Sequence, residues 1–284
     1  MDNRPIGVFD SGVGGLTVVK ELMRELPNEN IIYFGDTARV PYGSKSIKTI
    51  ERFSLEILNF LLKQNVKAVV IACNSASAAA LKLLQDISPV PVYGVVDAGV
   101  YAALEVTRNN KIGIVGTKAT IRTNAHRNLF MEHKTGLKLF TQACPLFVPL
   151  IEEGMLQSQI TENVIQEYLK ELKNEKIDTL ILGCTHYPLL KERIESFLGP
   201  TIKTIDPAIM LAKQIKENPL LNNAKNKTVS YKFFVSDVPE DFLSISARFL
   251  EMERINVEKI VLDEIQIEKV METLVPVKTI QNAN

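Results

Sequence analysis

The sequence predicts an α/β protein of two pseudo-symmetric domains, each a parallel-rich sheet flanked by helices, with the active site in the interdomain cleft. Three observations carry this reading. Short apolar runs alternate with helical stripes along most of the chain, the pattern of strand–helix–strand crossovers. The runs are nearly continuous in aliphatic residues, as in strands buried on both faces. One segment type occurs twice, as Ala68-Val69-Val70-Ile71-Ala72-Cys73-Asn74-Ser75-Ala76 and as Thr179-Leu180-Ile181-Leu182-Gly183-Cys184-Thr185-His186-Tyr187-Pro188. Each reads as strand, small residue, cysteine, polar pair, helix start.

The elements follow in order. Ile6–Phe9 is a strand ending at Asp10-Ser11-Gly12-Val13-Gly14-Gly15, and the next helix carries Leu16, Val19, Leu22, Met23 and Leu26 on one face. The glycines suit close backbone approach or a tight turn. The third glycine of a G-x-G-x-x-G pattern is missing, Thr17 standing there, and no P-loop lysine follows, so a nucleotide site is poorly supported. Asp10 stands at a strand's C-terminal end, where open α/β sheets place working groups; its bland role is to cap the next helix. Ile31–Phe34 is the second strand, Pro41-Tyr42-Gly43 a turn, and 45–64 a helix. The Cys73 strand, an alanine-rich helix and a strand over 89–96 complete the first set.

The pattern then restarts. Strand 111–116, helix 119–132, strand 137–140, an irregular stretch from Cys144 to Pro149, helix 160–173, the Cys184 strand and helix 188–198 follow. Asp10 lies 63 positions before Cys73, and Thr117 lies 67 before Cys184. We expect residues 1–97 with 207–284 to form one domain and 98–206 the other. Helix 207–217, strand 230–235 and a helix through Phe242 and Phe249 return to the first domain. A last strand falls at 259–262, and the remaining tail reads as loose.

Bulk composition narrows the class. The 284 residues carry 33 basic and 33 acidic side chains, which speaks against a nucleic-acid-binding face or a basic membrane surface. No apolar run approaches the ~20 residues of a membrane span. The N-terminus passes from Met-Asp-Asn-Arg-Pro directly into a strand, so no signal peptide is expected. Three cysteines form no disulfide framework and suit a reducing cytoplasm. No Cys-x-x-Cys or His-Glu-x-x-His spacing supports a metal site.

Most buried cysteines are inert packing, and Cys144 reads so. Cys73 and Cys184 differ, because polar residues and a helix N-terminus follow each, a setting that favours thiolates and bound carboxylates. Three chemistries compete. A thiolate nucleophile with a His base leaves the second cysteine unexplained. A redox pair lacks the usual spacing. Two thiols opposed across a cleft fit a third use, in which one removes a proton from carbon and the other protonates the opposite face. His126 and His133 read as surface residues of helix 119–132, and Glu152-Glu153 as a solvated face.

Taken together, these motifs resemble the glutamate racemases of the cofactor-independent aspartate/glutamate racemase superfamily. The matching stretches are Asp10-Ser11-Gly12-Val13-Gly14-Gly15-Leu16, Pro41-Tyr42-Gly43, Ala72-Cys73-Asn74-Ser75-Ala76, Gly183-Cys184-Thr185-His186-Tyr187-Pro188 and Val235-Ser236-Asp237. Ser75 replaces the family's usual Thr and keeps the hydroxyl. The resemblance implies 1,1-proton transfer between L- and D-glutamate without pyridoxal phosphate or metal, supplying D-glutamate for peptidoglycan. It implies that Cys73 takes the proton from D-glutamate and Cys184 from L-glutamate, with Asp10 and His186 assisting. Asp10, Ser11, Tyr42, Gly43, Asn74, Ser75, Thr185 and His186 would hold the substrate, with Glu152, Thr117 and Thr120 as further candidates. A homodimer is implied, and a cytoplasmic location expected. The alternatives are a racemase of the same superfamily acting on aspartate or another amino acid, a silent amino-acid-binding module, or a redox protein with a Cys73–Cys184 disulfide.

Overall fold

A computed structural model of the protein describes residues 2–226, 228–238, 242–250 and 255–262. The first sheet is built around β1 (Ile6–Asp10) and β3 (Ala68–Ile71), both buried along their whole length. β2 (Ile31–Gly35) lies on the other side of β1, and β4 (Val92–Gly94) beyond β3. The second sheet is built around β5 (Lys111–Gly116) and β7 (Thr179–Gly183), flanked by β6 (Lys138–Ala143) and β8 (Lys203–Ile205). The orders β2-β1-β3-β4 and β6-β5-β7-β8 are the same, which is the pseudo-symmetry read from the repeated cysteine segments. Every strand pairing is parallel. Aliphatic strands covered on both faces are the form such sheets require.

Helices supply the cover. α1 (Leu16–Glu25) buries Leu16, Val18, Val19 and Leu22. α2 (Ile47–Lys63) starts where the Ser46 hydroxyl accepts from the Thr49 N–H. α3 (Asn74–Ile87) and α4 (Val95–Val106) follow β3 and β4. In the second half come α5 (Lys118–Arg122), α6 (Ala125–His133), α7 (Phe147–Glu152), α8 (Gln159–Asn174) and α9 (Lys191–Leu198). α10 (Pro207–Glu217) leads back to the first sheet, where β9 (Tyr231–Val235) pairs with β2. α11 (Phe242–Leu250) and β10 (Val257–Lys259) end the described chain. A buried ion pair fastens this return: Lys67 Nζ lies 2.6 Å from Glu29, whose other oxygen accepts from the N–H groups of Asn223 and Ala224.

Four expectations are corrected. The strand read over 89–96 ends at Gly94, and α4 begins at once. α4 buries Val95, Val96, Ala98, Gly99, Val100, Ala102 and Ala103, so its apolar residues nearly encircle it and the helical period is lost. Position 97/98 therefore falls inside a helix. The single helix read over 119–132 is two, broken at Asn124, whose φ of 56° is left-handed. The stretch after Cys144 is irregular only as far as Leu146, because α7 starts at Phe147 and brings Glu152 inward. The final strand lies at Val257–Lys259 rather than 259–262, and the tail after 262 lies outside the described residues.

Candidate active site

In each sheet a central strand is flanked on both sides by strands reached through opposite crossovers, and the C-terminal ends there open a crevice. The loops after β1, β2 and β3 face those after β5, β6 and β7. Between them lies a cavity of about 300 Å3 whose walls include Ser11, Tyr42, Gly43, Cys73, Asn74, Ser75, Thr117, Glu152, Cys184, Thr185 and His186. All three cysteines are free thiols. Among the described residues, no group of three or more His, Cys, Asp and Glu side chains is arranged to hold a metal ion.

On the first wall, Cys73 occupies the N-cap position of α3 with its thiol 3.6 Å from the Ser11 hydroxyl. Burial, with the charge of nearby Asp10, pushes the Cys73 thiol up to about 12, against the pull of the Ala76 N–H and the Ser11 hydroxyl. Asp10 sits behind the cavity wall, 1% exposed, and accepts from the Gly12 N–H at 3.0 Å. Burial raises its carboxyl above the ordinary range, offset by the charge of His186 and by N–H groups of the glycine loop. The second Asp10 oxygen, Oδ1, and the side-chain oxygen of Asn74 are buried with no hydrogen-bond partner among the described residues.

On the second wall, Cys184 follows β7 with its thiol 3.9 Å from His186 Nδ1. The other imidazole nitrogen lies 2.9 Å from Glu152 Oε1. Burial alone would lower the His186 pKa, but Cys184 and Glu152 outweigh it and raise it to about 10, so the ring is an imidazolium at neutral pH. The ring is wedged in place. A Cβ on Gly14 would come within 2.5 Å of it and collide with the Thr185 hydroxyl, and Phe249 of α11 meets it edge-on at 5.4 Å.

The halves touch above the cavity floor. The Ser75 hydroxyl lies 2.9 Å from that of Thr117 and 3.3 Å from that of Thr120, and the two threonines are 3.0 Å apart. The 3-10 turn Tyr42–Ser44 packs on Thr117 so closely that a Cβ on Gly43 would lie 2.8 Å from it. The Tyr42 hydroxyl donates to buried Asp36, which also takes the Arg39 guanidinium at 2.7 Å and the Ser236 hydroxyl at 2.9 Å. That network, rather than the turn alone, sets the position of the loop.

With this geometry the comparisons can be read. A model of the Asp/Glu/hydantoin racemase family matches residues 6–215. A glutamate racemase of Neisseria meningitidis serogroup A is 51% identical, over 87% of this chain and 93% of its own. The chain belongs to the glutamate racemase family. Another relative with that name, from Syntrophus aciditrophicus, is 47% identical over 91% of this chain and 97% of its own. Among solved structures, the Francisella tularensis glutamate racemase in complex with D-glutamate superposes with a TM-score of 0.86 at 45% identity, covering 93% of this chain and all of that one.

Of the residues singled out from the sequence, all but Asp10 and Thr120 line the cavity, and those two stand directly behind it. Glu152, read first as a solvated face, reaches His186 because α7 carries it there. Val40, Lys118, Pro145 and Val148 also line the cavity and were missed; no spacing marks such wall positions. His126 is no surface residue: it is 3% exposed, and burial lowers its pKa to about 4. The left-handed Asn124 starts α6 anew at Ala125, and His126 and Phe130, four residues apart, form its buried face. Among the described residues, no helix is long and apolar enough to cross a membrane.

Proposed function

We propose that this protein interconverts L- and D-glutamate, with Cys73 and Cys184 as the two proton-transfer groups. One observation carries the reading: two buried thiols, from equivalent places in the two sheets, share one cavity, each with its own acid–base companion. One thiolate takes the α-proton, leaving the electron pair on the α-carbon, delocalised into the α-carboxylate. The opposite thiol gives its proton to the other face, so the centre inverts and the two sulfurs exchange protonation states. On this reading Cys184 takes the proton from L-glutamate while the neutral Cys73 thiol supplies one. For D-glutamate, Cys73 must first lose its proton, and Asp10 is the acceptor at hand.

The α-proton is very weakly acidic, and a thiolate is a modest base for it. The site must therefore stabilise developing charge with fixed donors in a dry cavity. The hydroxyls of Ser11, Ser75, Thr117 and Thr185, with the Tyr42–Gly43 turn, suit the carboxylates, and Thr120 holds those of Ser75 and Thr117 from behind. The unpartnered side-chain oxygen of Asn74 suits the ammonium. The two sheets act as two domains that close over substrate, a division the strand membership supports.

The test follows optical activity of each enantiomer in deuterated buffer, with proton NMR at the α-carbon. Inversion with deuterium uptake in the wild type, and no inversion in Cys73→Ala or Cys184→Ala, supports the reading. Activity on aspartate but not glutamate would move the substrate and keep the chemistry. Inversion at close to the wild-type rate in either variant would overturn the two-thiol scheme.

A further inference from the structure

We propose that Lys118 is a substrate-capturing residue that draws the dicarboxylate into the cavity by charge. The inference rests on the glutamate reading above and goes beyond its proton chemistry. Among the described residues lining the cavity, Lys118 is the only lysine or arginine. It is exposed, opens α5 directly after Thr117, and has no ion-pair or hydrogen-bond partner among the described residues. The other charges of the cavity wall are committed elsewhere: Glu152 and His186 bind each other. A free amino acid with two carboxylates and one ammonium carries net negative charge, and among the described residues nothing else on the wall offers it a cation with freedom to move.

The surroundings have the same sign. Arg122 stands four residues on, on the same helical face. Its guanidinium donates to the Lys45 carbonyl at 2.6 Å, joining the rim of the second half to that of the first. Lys118, which lines the cavity, thus stands on the same short helix as a second cation, Arg122, that is tied to the segment following the Tyr42–Ser44 turn. A lysine suits the task better than an arginine: its point charge on a four-carbon stem can follow a carboxylate inward without a fixed fork geometry. Because Lys118 is exposed, its attraction is screened by salt and acts on capture, not on bond making.

The test is the charge series Lys118→Arg, Lys118→Gln and Lys118→Glu, measured as kcat/KM for racemisation at low and high ionic strength. Expected are a near-normal arginine variant, a loss of roughly tenfold in Lys118→Gln with a flatter salt dependence, and a larger loss in Lys118→Glu whose activity rises with salt. kcat at saturating glutamate should hold within about twofold, since the chemistry is untouched. Wild-type kcat/KM and salt slope retained in Lys118→Glu would overturn the proposal, as would a fall confined to kcat. An inactive wild type would instead defeat the glutamate reading on which the proposal rests.

Discussion

The two walls of the cavity present the same thiol at equivalent ends of equivalent strands, yet in opposite electrostatic company. Cys73 is buried beside a carboxyl group, and both press it towards the neutral thiol. Cys184 is buried beside an imidazole whose pKa is raised by Glu152 and by the Cys184 sulfur. A repeated fold thus yields a site poised differently on its two faces. The difference teaches that pseudo-symmetry fixes where the sulfurs go, while the residues within hydrogen-bond reach decide what each does at rest.

The strongest way to break that comparison is to remove one sulfur at a time. Cys73→Ala and Cys184→Ala should each lose racemisation by at least ~10²–10⁴-fold, the range of a positioned acid or base. The remaining thiol can still take and return a proton on its own face. Deuterium should therefore enter only L-glutamate in Cys73→Ala and only D-glutamate in Cys184→Ala, without inversion. Exchange of both enantiomers in either variant would end the facial assignment.

A smaller effect is expected from the companions. Glu152 raises the His186 pKa, so Glu152→Gln should bring the alkaline limb of the kcat/KM profile down from near pH 10. The loss at neutral pH should be about tenfold or less, because Glu152 is half-exposed and acts through His186. Since the two enantiomers are equal in energy, kcat/KM must fall equally in both directions, and only kcat and KM separately can reveal asymmetry. An unmoved alkaline limb would remove Glu152 from the site. Gly14→Ala tests the wedge behind His186: it should cost about tenfold in kcat/KM through ring displacement, with circular dichroism showing the fold retained.

A prediction on stability rather than activity sharpens the contrast by comparing two histidines of the second half. His186 has partners and is raised; His126 has none for its Nε2 among the described residues and is lowered to about 4. The unfolded chain protonates His126 near its ordinary 6.5, so the unfolded state binds more protons between pH 6.5 and 4. Stability should fall by about 3 kcal/mol across that window as pH drops, and level off below it. Urea unfolding of the wild type and His126→Phe at several pH values measures this; equal pH slopes would place the acid sensitivity elsewhere.

Much of the fold was legible because buried parallel strands are written as apolar runs, and the runs read from the sequence fall on β1 to β7 and β9. The failures have one cause in common. α4 carries apolar residues on its open side as well, Tyr101 and Leu104 among them, so its sequence shows no face to read. β8 is three residues long and was not seen, since so short a run makes no pattern without its neighbour β7. For the site, cysteines and glycines announced themselves by type and repetition. Lys118, Val40 and Val148 did not, because a wall residue is defined by what stands opposite it.

The sequence by itself determined the chemistry on offer: two thiols at matched strand ends, a histidine two residues after one, an aspartate ending the first strand. These are local facts, set by neighbours along the chain. Only the tertiary structure decided which groups meet. Glu152 reaches His186 from 34 positions away, and Ser75 meets Thr117 from 42. It also decided the charge each group holds at rest, since that depends on desolvation and on partners brought by other elements, which no one-dimensional spacing contains.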